Sequence, residues 1–259
     1  MILFLAGAFG FLGALLAHDL ATQALADVSS RPFAGTCPRC GKRRGWERYR
    51  CPHCGRHIGR ELLLGPIGLA LGLGFANTVG PRWALLGFLG FLCLTLALAI
   101  TDVDAFRIVD RLNLPGTLVL IVLLAIAALV DGDGEALLRG LLGGAAYFAA
   151  TNLIYLAVRG RGFGYGDVKL SAQLGVFTTY ISWGALGWSV FLTAFFGGVL
   201  SIAVLAAGLV GRMRKRRHGG PDPSIREAMR TELPYGPAMI VGSWVAIILA
   251  GLGAFPIPS

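Results

Sequence analysis

Residues 82–104 read RWALLGFLGFLCLTLALAITDVD. Between Arg82 and Asp102 the stretch carries no charge. It is long enough to cross ~30 Å of hydrocarbon, which takes about 20 mostly apolar residues in a helix. Two carboxylates, Asp102 and Asp104, stand where it stops. The pattern recurs along the chain: apolar segments at 2–24, 62–79, 82–101, 113–130, 135–158, 168–182, 186–210 and 235–255 are separated by polar punctuation such as Gly80-Pro81 and Asp131-Gly132-Asp133-Gly134. Composition agrees, with 55% hydrophobic and 14% charged residues and a mean hydropathy of +0.69. Soluble domains carry roughly a quarter charged residues, and disordered chains need low hydrophobicity and high charge, so both classes are excluded. The 38 glycines have no collagen-like period and suit closely packed membrane helices. The expected fold class is all-α, a polytopic membrane bundle of about eight transmembrane helices.

The charges test this layout. The 23 Lys and Arg outnumber the 14 Asp and Glu. All the basic residues except Arg82 and Arg139 fall in 27–61, 102–113, 159–169 and 211–234, which alternating spans place on one side of the membrane. The positive-inside rule makes that side cytoplasmic and puts both termini outside. Residues 1–26 are read as a retained span. Ala24-Leu25-Ala26 resembles a signal cleavage site, but the first basic residue is Arg31, and a secretory signal needs a basic region before its apolar core. The expected organisation is a first helix at 1–26, a cytoplasmic loop at 27–61 and a membrane domain at 62–259.

Within that loop Cys37-Pro38-Arg39-Cys40 and Cys51-Pro52-His53-Cys54 make the pattern C-x2-C-x10-C-x2-C. Two such pairs present four thiolates to a tetrahedral ion, a closed set that fits structural Zn2+ and leaves no position open for catalysis. Disulfides are the alternative, disfavoured in a reducing compartment. The loop's basic residues could contact nucleic acid, but a short loop tied to the bilayer points to anionic membrane lipids and to no nucleic acid. Cys93, inside the third span, is read as packing.

Ionisable groups at the ends of spans are costly and default to functional candidates. Besides Asp102 and Asp104, the chain has Asp110 before the fourth span and Asp167 in Gly162-Phe163-Gly164-Tyr165-Gly166-Asp167 before the sixth. The plain alternative is that these acids cap helices and pair with Arg107, Arg111 or Lys169.

Gly164-Tyr165-Gly166-Asp167 matches the GxGD motif of membrane-embedded aspartic proteases, and residues 164–170, GYGDVKL, resemble the GxGDxKL pattern of the prepilin peptidases. In that family the first catalytic Asp stands seven residues before a Pro-Asn or Pro-Asp pair; Asp102 has this spacing to Val109-Asp110, with Val in place of the Pro. Leu233-Pro234-Tyr235-Gly236-Pro237 is similar to the family's PFGP element. The resemblance implies cleavage of type IV prepilins or pseudopilins at the cytoplasmic face of the bacterial inner membrane, with Asp102 and Asp167 catalytic and Gly164, Gly166, Lys169 and Asp110 supporting them. Bifunctional members also N-methylate the new terminus with S-adenosylmethionine; the ten-residue spacer 41–50 between the cysteine pairs is shorter than theirs.

No nucleophilic triad is evident. Two close carboxylates in a poorly solvated site separate their titrations, so one can serve as base toward water and the other as acid toward the scissile carbonyl. Asp104 is turned about 200° from Asp102 on a helix and cannot face the same partner. Asp110 is expected to cap the fourth span. The non-enzymatic alternatives are a transporter, which should show broken helices and an internal repeat, and a zinc-knuckle membrane adaptor in which the acids are only caps.

Overall fold

The computed structural model describes residues 1–25, 59–105, 108–158, 164–217 and 235–254. Among them no strand occurs, and eight helices follow in chain order. These are α1 (Ile2–Leu25), α2 (Gly59–Val79), α3 (Ala84–Ala105), α4 (Asp110–Asp131), α5 (Gly134–Ala157), α6 (Tyr165–Ile181), α7 (Trp183–Arg217) and α8 (Tyr235–Gly251). Helices α1, α3, α4, α5 and α7 each contain a stretch long and apolar enough to cross a membrane, while α2 and α8 contribute the shorter apolar stretches Leu63–Val79 and Tyr235–Gly251. The protein is a multi-pass helical membrane bundle.

Helix α6 departs from the rest. It carries Asp167, Lys169, Ser171, Gln173, Thr178 and Thr179, yet every residue from Gln173 to Ile181 is buried. A helix this polar is tolerated at membrane depth because neighbouring helices, not lipid, surround it. Glycines let α5 come close: a Cβ at Gly144 would lie 2.5 Å from Val176 Cγ2, and one at Gly175 would lie 2.8 Å from the Gly143 carbonyl oxygen. On the other side α6 meets α3 through aromatic rings. Phe177 stacks on Phe91 at 4.4 Å and meets Phe88 edge-on at 5.2 Å. Helices α1 and α2 cross at Gly10 and Gly68, where a Cβ on either would run into the other's carbonyl oxygen. Lipid-facing apolar surface gains nothing from leaving lipid, so such close backbone approach is what holds membrane helices together.

One end of the bundle is tied by the charged residues that broke the positive-inside bias. Arg82 pairs with Asp133. The Asp131 carboxylate accepts the backbone N–H groups of Trp83 and Ala84 at 3.1 and 3.0 Å, capping α3. Arg139 donates to the carbonyls of Thr179, Tyr180 and Ile181, the otherwise open C-terminal end of α6.

Helix ends and lipid boundaries do not coincide. Helix α3 continues through Ala105, so Asp102 and Asp104 lie inside it and not beyond it. Helix α4 begins before the expected 113, α6 before 168, and α7 runs on through the basic residues to Arg217. Hydropathy marks where lipid stops, whereas a helix ends where its backbone bonding ends. The cysteine loop, with Cys37, Cys40, Cys51 and Cys54, lies outside the described residues, as does Arg107. Cys93 does pack: its thiol donates to the Gly13 carbonyl at 3.2 Å, joining α3 to α1.

Candidate active site

The end opposite Asp131 and Arg139 gathers the acids. On the last turns of α3, Asp102 is 6% exposed, while Asp104, turned to the other side of the helix, is exposed. Asp167, in the first turn of α6, is 7% exposed. Its Oδ2 accepts the Gly164 N–H at 3.3 Å, and its own N–H donates to the Gly164 carbonyl at 3.1 Å. Glycine offers no side chain to cap the helix, so the Asp167 carboxylate meets the free N–H groups there, and the dipole of α6 favours its negative charge.

Ile108, between α3 and α4, joins the parts. A Cβ at Gly166 would lie 3.0 Å from Ile108 Cβ, and one at Gly236 would lie 3.3 Å from Ile108 Cδ1 and 2.8 Å from Asp102 Oδ2. The glycines beside Asp167 and at the start of α8 thus close on the same isoleucine and on the Asp102 carboxylate. The backbone N–H of Gly236 faces that carboxylate. Asp102 Oδ2 is buried and has no hydrogen-bond partner among the described residues. Asp102 and Asp167 lie within electrostatic reach of one another, and Tyr147 and Tyr235 lie within reach of Asp167.

Lys169 belongs to a separate contact. Its Nζ donates to Asp110 Oδ2 at 2.6 Å and stands 5.3 Å from the centroid of the Tyr165 ring, which in turn meets Tyr155 edge-on. Asp110 is not the cap expected of it. Val109 occupies the N-cap position of α4 without a side-chain bond, and Asp110 is the first helical residue. Lys169, two residues after Asp167 in the GYGDVKL run, is turned about 200° from it on α6 and so reaches Asp110 of α4 instead. Ile108 and Tyr147 escaped the sequence reading, since an isoleucine in an apolar chain and a tyrosine in a span carry no local signal. Gly236 was within reach as part of Pro234-Tyr235-Gly236-Pro237.

Residues 88–202 match the type IV leader peptidase family. This segment holds Asp102, Asp110, Gly164, Gly166, Asp167 and Lys169, whereas Gly236 lies beyond it. Over longer stretches the chain is similar to three curated proteins, each named prepilin leader peptidase/N-methyltransferase. It is 27% identical to that of Aeromonas hydrophila over 78% of this chain and 63% of the relative. It is 28% identical to that of Pseudomonas aeruginosa over 82% and 70%, and 31% identical to that of Burkholderia pseudomallei over 80% and 64%. The chain therefore spans 63% to 70% of the length of these leader peptidase relatives. No solved structure matches it.

Proposed function

We propose that the protein is a prepilin leader peptidase, an aspartic endopeptidase that removes the leader of type IV prepilins or pseudopilins. The observation that carries this reading is the burial of Asp102 and Asp167, from distant parts of the chain, within electrostatic reach of each other at one end of the bundle. With one proton between them, the ionised carboxylate takes a proton from water, which attacks the scissile carbonyl. The protonated carboxyl donates to the carbonyl oxygen and stabilises the tetrahedral oxyanion. Gly166 and Gly236, having no side chains, let Ile108 and the start of α8 close in beside the two acids.

The basic-residue bias supports an active site on the cytoplasmic face of the bacterial inner membrane, with both termini outside and the basic loops on anionic lipid. The donor set Cys37, Cys40, Cys51 and Cys54 fits structural zinc, and no step of the hydrolysis runs through it. N-methylation with S-adenosylmethionine would reside in that same loop, as a second activity.

The test is cleavage of a purified type IV prepilin by the detergent-solubilised protein, read as loss of the leader mass. Asp102→Asn and Asp167→Asn should each lower kcat by at least about a thousandfold, because neither half of such a pair works alone. Cleavage at the parental rate by either variant would overturn the dyad.

A further inference from the structure

Helices α4 and α6 are joined by a ladder of polar side chains. At its rim stands the Lys169–Asp110 pair. Deeper in the bundle, Thr117 of α4 lies between two carboxamides: its Oγ1 is 3.2 Å from Gln173 Oε1 and 3.4 Å from Asn113 Oδ1. Asn113 and Gln173 are both 0% exposed, and neither Asn113 Nδ2 nor Gln173 Nε2 has a partner among the described residues. A hydroxyl has one proton and two lone pairs, so Thr117 can donate to only one of the two oxygens. A half-turn of the other carboxamide exchanges its oxygen and nitrogen in the same space and brings an NH2 onto the hydroxyl's lone pair. Gln173, Thr117 and Asn113 then form one continuous hydrogen-bonded chain between the helices.

The placement of this chain matters more than its strength. Asp110, Asn113 and Thr117 occupy one stripe of α4, and Lys169 and Gln173 one stripe of α6, because residues three and four apart share a helix face. On α6 that stripe lies well round the helix from Asp167: Gln173 is about 120° away. Helix α6 packs against α5 through glycines and against α3 through Phe177. A directional polar contact on a different face fixes both rotation and register.

We propose that Asn113, Thr117 and Gln173 are positioning residues, a clasp that sets the rotation of α6 and so turns Asp167 toward Asp102. The inference rests on the dyad reading above and adds the device that aligns it. The experiment compares Thr117→Val, Thr117→Ser, Gln173→Leu and Asp167→Asn, each solubilised in detergent, with a purified type IV prepilin as substrate. Thr117→Val keeps the shape of the side chain and removes its hydroxyl, so it reads the clasp even if Gln173→Leu fails to fold. Thr117→Val should lose about tenfold in kcat with KM within about twofold of the parent, as expected for misplaced reacting groups and unaltered substrate binding. Thr117→Ser, which restores the hydroxyl, should recover most of that loss. A parental kcat in folded Thr117→Val, with Asp167→Asn inactive, overturns the clasp and leaves the dyad standing. So does an equal kcat loss in Thr117→Ser. Parental cleavage by Asp167→Asn overturns the dyad, and this inference with it.

Discussion

Replacing Gly236 with alanine places one methyl group directly against the site. The added carbon would stand 2.8 Å from Asp102 Oδ2 and 3.3 Å from both Asp102 Cγ and Ile108 Cδ1. Non-bonded heavy atoms settle at about 3.5 Å or more, so the carboxylate must retreat by roughly 0.7 Å. Misplacing reacting groups by ~1 Å can cost about a hundredfold in rate, so a loss of 10- to 100-fold in kcat is expected, or about 1.4 to 2.7 kcal/mol in the barrier. Stability should move much less. Overpacking strain of about 1–3 kcal/mol is partly offset by up to ~1 kcal/mol of helix propensity gained when alanine replaces glycine inside α8. The assay is initial-rate cleavage of a saturating prepilin, with thermal unfolding in the same detergent to establish the folded fraction. Gly198→Ala is the control, since a Cβ there has nothing within 4 Å and kcat should stay parental. A Gly236→Ala protein that is folded and cleaves within about twofold of the parent would refute the placement of α8 against the Asp102 carboxylate.

Two further outcomes are expected. Gly143→Ala drives a Cβ into the Thr179 side chain, so α5 and α6 must part, lowering the unfolding free energy by about 1–3 kcal/mol; unchanged thermal unfolding would show that the two helices do not meet at that glycine. Freshly purified protein should carry zinc at about one ion per chain and lose it in Cys37→Ser, with prepilin cleavage kept within about threefold, because a closed thiolate set performs no chemistry; disulfides in place of the metal would refute the thiolate site.

Much of the architecture was legible in the sequence because it depends on local composition. Apolar run lengths report the spans, and the distribution of Lys and Arg reports their alternation. The two exceptions to that bias, Arg82 and Arg139, proved to be local ties at helix ends, to Asp133 and to the carbonyls closing α6. The candidate acids were legible too, since a carboxylate at a span boundary is conspicuous. What misled was treating each acid by its neighbours in sequence. Asp110 sat where a cap belongs, yet its carboxylate reaches Lys169 on another helix.

The order of residues alone thus determined a helical membrane protein, a four-cysteine pattern and a short set of acids at the ends of its apolar runs. Only the tertiary structure decided which acids are buried. Asp102 and Asp104 are two residues apart and chemically identical, and the rotation of α3 buries one and exposes the other. Asp167 comes within electrostatic reach of Asp102 beside Ile108, against which Gly166 and Gly236 both pack. Hydropathy is a property of each residue, but the rotation of a helix about its axis is settled by everything packed around it.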